Sequence, residues 1–172
     1  VYTPPNTMEG PTTVAGTVDV DGKGKIWAST FHGASRFDPV TKEFTEFKSP
    51  TFQNSDGIGN TYGLTADGDG NGWWAEMNID MVAKTDVETG KVSEIKIPAV
   101  PGVRELFTPA EQKMYDATGN TWNAATPWAQ GPRRLGADKK DHIVWVCDWW
   151  GGNLAKIDTR TLKVTLIPLP RP

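Results

Sequence analysis

A chain of 172 residues with eight Trp, eighteen Gly, thirteen Pro and only 37% hydrophobic residues suits a β-rich, turn-rich protein rather than a helical or disordered one. Its net charge of −3 comes from interspersed acidic and basic residues. There is no basic stripe to support nucleic-acid binding, and no apolar run approaches the length of a membrane span.

In chain order, residues 1–5 (VYTPP) match the endings FTEFKSP, VSEIKIP and VTLIPLP found further on, so the chain begins with what reads as the last strand of a preceding unit. Residues 6–15 are a polar crossover. Residues 12–50 then hold a first unit: a strand, a DG turn, Ile26-Trp27, Arg36-Phe37-Asp38, a T-K turn and an alternating strand ended by Pro50. A second crossover, TFQNSDGIGNT, leads to the most complete unit, residues 61–98. There Tyr62 to Ala66, Trp73 to Met77, Met81 to Thr85 and Val92 to Ile97 are expected strands, separated by the turns DGDGNG and DVETG. The last of them alternates strictly, with Val92, Glu94 and Lys96 on one face and Ser93, Ile95 and Ile97 on the other. Gly63 stands eleven residues before Trp74, as Gly16 stands eleven before Trp27.

Residues 99–130 form a much longer crossover, and a loop of that length has structure or function of its own. Thr108-Pro109-Ala110-Glu111 is a capping box with proline at the first helical position, so a helix of roughly ten residues is expected, stopping at Gly119. The tryptophans that follow, Trp122 and Trp128, are expected to pack this insertion onto the sheets rather than to stack on a ligand. Residues 131–170 repeat the unit a third time, with AKID for AKTD and VTLIPLP for VSEIKIP.

Units of about forty residues, four strands each with an aromatic in the second, are the signature of β-propeller blades. The expected fold is therefore all-β: a propeller segment of about three four-stranded blades, plus one strand of a preceding blade and one short helical insertion. A closed ring takes about four to eight blades, so the remaining blades are expected from a longer chain or a partner subunit. An ordinary sandwich is the competing architecture.

The start of the first strand, the end of the second and the crossover share one rim of a blade, and inner strands open toward the central channel. Tyr62 is thereby placed beside Glu76 and Asn78, Arg133 and Arg134 beside Asp148, Trp149 and Trp150, and Ala15 beside Thr30, Phe31 and His32. Tyr62, Asn78, His32, Arg133, Arg134, Asp148, Trp149 and Trp150 are the candidate ligand-binding residues, for a small molecule or a peptide, and Glu76 is the candidate catalytic group. No metal-ligand set is read from the residues themselves. Asp67 to Gly72 has the first half of a calcium loop, but Asn78 stands where the bidentate glutamate is needed and no flanking helix is expected, so a hairpin is the better reading. His32 and His142 fall at opposite rims and cannot share a metal. The lone Cys147, inside VWVCDWW, is expected to be a buried inert thiol. It leaves the compartment open, with an exported location, periplasmic or secreted, favoured.

The run YGLTADGDGNGWWAE…MVAKTDVETGKVSEIKIP resembles the repeat of the streptogramin lyase (virginiamycin B lyase) family of seven-bladed propellers. The likeness lies in the aromatic-Gly opening, the D-G turn, the second strand ending in Glu, and the T-G turn before an alternating strand closed by Pro. It covers nearly all of the chain apart from the insertion. Enzymes of that family open a cyclic depsipeptide by elimination, using Mg²⁺, a His at the opening of the first strand and a Glu near the end of the second. The resemblance thus implies Mg²⁺ as a cofactor and Glu76 as the matching acid, fourteen residues beyond Tyr62. The His position holds Tyr62, and Ala15 and Arg133 or its neighbour in the other units. Two functions stay open: a Mg²⁺-dependent carbon–oxygen lyase acting on a cyclic ester, and a non-catalytic binding or scaffold propeller using residues 99–130 as a partner surface.

Overall fold

The computed structural model describes residues 16–51, 61–121 and 123–170. The expected strand at residues 1–5, the crossover 6–15 and Trp122 lie outside the described residues, as does the crossover 51–61 apart from its end residues Thr51 and Thr61. The fold is all-β: the described residues form three four-stranded antiparallel sheets and a single α-helix. The first sheet is β1 (Val18–Val20), β2 (Ile26–Thr30), β3 (Gly33–Phe37) and β4 (Phe44–Lys48). The second is β5 (Thr61–Ala66), β6 (Gly72–Glu76), β7 (Met81–Thr85) and β8 (Val92–Lys96). The third is β9 (Pro132–Asp138), β10 (Ile143–Asp148), β11 (Asn153–Asp158) and β12 (Val164–Pro168). Each is a meander whose strands pair in chain order.

Two apolar seams join the sheets. Trp27, Phe47, Leu64, Ala66, Trp74 and Ala83 fill the seam between the first and second, and Trp73, Val82, Ile95, Ile97, Val144, Val146, Ala155 and Ile157 fill the one between the second and third. Both faces of the second sheet are therefore covered, and β6 is buried along its whole length. At the other end of the wedge the innermost strands nearly touch. A Cβ at Gly63 of β5 would lie 2.4 Å from the carbonyl oxygen of Arg133 and 3.0 Å from the Cα of Arg134. Only glycine lets the backbones of β5 and β9 approach so closely.

A buried aspartate organises the inner hairpin of each of the first two sheets. Asp21 accepts the backbone N–H of Lys23 and Lys25 and the indole N–H of Trp27 at 2.9 Å. Asp67 does the same for Asp69, Asn71 and the Trp73 indole, at 2.8 Å for the last. The DGDGNG segment is thus a hairpin turn whose carboxylate is engaged by N–H donors. This pairing also corrects the alignment of the units: Trp27 corresponds to Trp73, not Trp74. The same equivalence recurs across the neighbouring strand, where Arg36 lies over Trp27 (5.9 Å), Lys84 over Trp73 (5.2 Å) and Lys156 over Trp145 (5.9 Å). The offset arises because Gly16 and Gly63 are not equivalent in register; separately, β5 carries a β-bulge between Thr61 and Leu64, and β9 carries one opposite Cys147/Asp148. A bulge adds a residue to one strand without disturbing its partner.

The insertion contains the helix α1 (Pro109–Thr118), opened by the full Thr108/Glu111 capping box and ended at Gly119. Phe107, Tyr115 and Trp128 meet edge-on, with centroids 5.6–5.8 Å apart, and Trp128 is buried among them. Trp128 therefore packs the insertion, as its sequence context suggests. Cys147 is half-buried.

Gly63→Ala is expected to destabilise the fold by about 1–3 kcal/mol, because the added methyl meets backbone rather than a movable side chain. Urea unfolding measures this. An unchanged midpoint would show that β5 and β9 can part without loss.

Candidate functional site

The bulges of β5 and β9 fall at the same point of their sheets. Thr61 pairs with Glu76 and Pro132 with Asp148, after which the register slips by one residue in both strands. Tyr62 and Arg133 are the residues gained there, so they occupy equivalent positions on adjacent inner strands. The side chains meet: Arg133 Nη2 donates to the Tyr62 hydroxyl at 2.8 Å. The Arg133 guanidinium lies 4.7 Å from the centre of the Tyr62 ring and 4.2 Å from that of Trp149, and Arg134 lies 4.7 Å from the Tyr62 ring. Trp149 is 59% exposed in the turn after β10. Four candidate residues therefore form one cation–aromatic cluster at the rim. The hydrogen bond from Arg133 and the charges of both arginines lower the pKa of Tyr62, so its phenol ionises more readily than usual.

The two acids at the ends of the second strands lie elsewhere. Glu76 is fully buried, turned with Trp74 into the seam toward the first sheet, where Oε1 accepts the Trp74 indole N–H at 3.1 Å. Asp148 is 1% exposed, and neither of its carboxylate oxygens has a hydrogen-bond partner among the described residues. Burial raises Glu76 to about 7, with Ser49 opposing and the neighbouring Glu94 reinforcing the shift. Burial also raises Asp148 to about 7, reinforced by Asp80. Each inter-sheet seam thus holds a carboxyl close to its neutral form, next to a second acid.

The other candidates are dispersed. Asn78 sits in the turn after β6, where its carbonyl accepts the Asn120 amide at 3.3 Å, and helps line a cavity of about 870 Å³ under the insertion with Asp80, Lys96, Arg104 and Trp128. Trp150 packs against Gly131 and borders a smaller cavity of about 580 Å³. His32 lies in the β2–β3 turn of the first sheet, edge-on to Phe31, and burial followed by the charge of Lys48 lowers its pKa. His142 is in a turn at the other end of the sheets, bonded to Arg160 at 2.7 Å.

Two groups that hold the cluster in place are not apparent in the sequence. Asp80, in a left-handed turn, accepts the backbone N–H of Gln130 and Gly131 at 2.9 and 2.8 Å, while Trp149 N–H donates to the carbonyl of Gly131 at 2.9 Å. This fixes the start of β9, and with it Arg133, between two sheets. At the opposite end of β9, Lys139 of the third sheet reaches Asp19 of the first at 3.0 Å and ties the inner strands together there.

No protein-family model and no curated protein matches the sequence. Solved structures do. A streptogramin B lyase aligns with 96% of the chain at 17% identity and a TM-score of 0.63. A catalytically inactive virginiamycin B lyase from Staphylococcus aureus with quinupristin aligns with 96% at 20% identity and a TM-score of 0.61. Kuenenia stuttgartiensis hydrazine synthase aligns with 96% at 13% identity and a TM-score of 0.57. The fold is propeller-like. At these identities the likeness concerns the fold alone, and the chain spans 44%, 45% and 38% of the three proteins' own lengths.

Between the ordinary carboxylate range and about pH 7, the folded protein keeps protons on Glu76 and Asp148 that the unfolded chain has released. Their contribution to stability is therefore full at low pH, falls as the pH rises through that window, and levels off above it. Glu76→Gln and Asp148→Asn should each remove part of this slope and raise stability at pH 8 by on the order of 1–3 kcal/mol. Urea midpoints at pH 5 and pH 8 provide the check, and variants that match the parent at both would show that these carboxyls titrate normally.

Proposed function

We propose that the rim where β5, β9 and the β10–β11 turn meet binds a small or peptidic ligand, within a larger propeller to which this chain contributes three sheets. The observation that carries this is Arg133 held between the Tyr62 and Trp149 rings, with Trp149 open to solvent. Tyr62 and Arg133 sit on strands and Trp149 on a tight turn whose N–H is bonded to the carbonyl of Gly131, so the platform needs little ordering before a ligand arrives.

The enzymatic form of this reading is elimination on a cyclic ester, as the resemblance to streptogramin lyases suggests. A base takes the proton from the carbon adjacent to the one that bears the ester oxygen, that carbon–oxygen bond breaks with the carboxylate as leaving group, and an alkene and a free carboxylic acid result. Tyr62 supports this reading because its phenol is bonded to Arg133 and eased toward ionisation. Glu76, buried in the seam, would act through the position of the rim rather than on the substrate. Mg²⁺ binds through oxygen ligands, carboxylate and water above all. The described rim offers two guanidiniums and a phenol, and no group of three His, Cys, Asp or Glu among the described residues is disposed to hold a metal. These residues do not fit the ion, and a Mg²⁺-dependent reaction would need its ligands from another part of the ring.

Quinupristin is a suitable probe for the full-length protein. Binding or ring opening is expected, weakened at least tenfold by Trp149→Ala with the fold intact, since that side chain is largely exposed. If turnover occurs with Tyr62 as base, Tyr62→Phe should lower kcat by about 10²–10⁴-fold. Binding without turnover would leave a non-catalytic propeller, and probe affinity indifferent to Trp149→Ala would move the site away from this rim.

A further inference from the structure

Arg133 and Arg134 are consecutive cations that share the Tyr62 ring, and no carboxylate answers either of them among the described residues. Together they carry ten N–H donors. One reaches the Tyr62 hydroxyl at 2.8 Å and another Thr17 Oγ1 at 3.5 Å. Arg133 Nε is buried and meets no acceptor among the described residues.

The acids that could neutralise the pair are engaged otherwise. Asp148 ends the neighbouring strand but turns into the seam, where burial and Asp80 raise its pKa and no arginine offsets them. Glu76 points into the opposite seam, and Asp19 is bonded to Lys139, Thr65 and Ala66. The Tyr62 and Trp149 rings lie 4.7 and 4.2 Å from the Arg133 guanidinium, and a guanidinium held against aromatic rings keeps N–H donors for polar acceptors. Two adjacent guanidiniums so presented match the geometry of an oxyanion.

Resting on the proposal that this rim binds ligand, we infer that Arg133 and Arg134 are an anion subsite. The ligand it takes carries a carboxylate, or a phosphate or sulfate group, next to a flat or apolar part that covers Trp149.

Benzoate, inorganic phosphate and the neutral benzamide are titrated into the full-length protein by calorimetry and tryptophan fluorescence. Benzoate should bind saturably and at least tenfold more tightly than benzamide. Its affinity should fall several-fold between 50 mM and 500 mM NaCl. Arg134→Gln, at an exposed position, should weaken it at least threefold, and the pair Arg133→Gln/Arg134→Gln at least tenfold, with circular dichroism confirming the fold. Phosphate binding as tightly as benzoate, and losing affinity in the same variants, supports the subsite and assigns it to phosphate esters. Benzoate and phosphate affinities unaffected by both variants, or no saturable binding of either anion, overturn the inference. Quinupristin binding that depends on Trp149 yet ignores both arginine variants would overturn it while leaving the rim as a ligand site, whereas loss of every probe would remove both.

Discussion

The closeness of β5 and β9 at Gly63 is the constraint on which the rim depends. Because the two backbones come together there, the sheets diverge outward as wedges, and indole, phenyl and aliphatic side chains fill the widening space away from Gly63. The same closeness brings Tyr62 of one strand within hydrogen-bond reach of Arg133 of the next. A larger residue at position 63 would part the strands and separate the pair. Core geometry and rim chemistry are thus consequences of one approach distance.

Much of the architecture was legible because the units repeat. Alternation in Val92–Lys96, the capping box at Thr108 and the recurrent AK-D turn each state a local preference that the fold then realises. The equivalence of Trp27 with Trp73 rather than Trp74 was not legible, because the spacing from the preceding glycine points to Trp74; it became visible through the indole–aspartate bonds. The setting of Glu76 was hidden for a related reason. Alternation separates two faces of a strand, but in a stacked sheet both faces are covered, and a glutamate at a strand end reads the same whether it looks into the channel or into a seam. Tyr62, Arg133, Arg134 and Trp149 were placed at one rim by strand counting alone, whereas their mutual stacking depends on the two bulges and on the anchoring by Asp80, which no local pattern announces.

Function on such a scaffold is carried by the sites rather than by the fold. A streptogramin lyase and a hydrazine synthase both align with this chain over nearly its whole length. What individualises the chain is a rim where two adjacent arginines meet Tyr62 and Trp149 with no carboxylate against them among the described residues, while two acids are withdrawn into the seams, so that the rim's local charge is positive although the chain as a whole is acidic.

The anchoring of Gln130 and Gly131 by Asp80, Trp149 and Trp150 makes the long crossover modular. The strand that carries Arg133 is oriented by the last two residues before it, not by the helix that precedes them. Residues 99–127 can therefore diverge in length and content among relatives of this protein, or be exchanged for a grafted segment, while the return through residues 128–131 keeps the channel mouth in register.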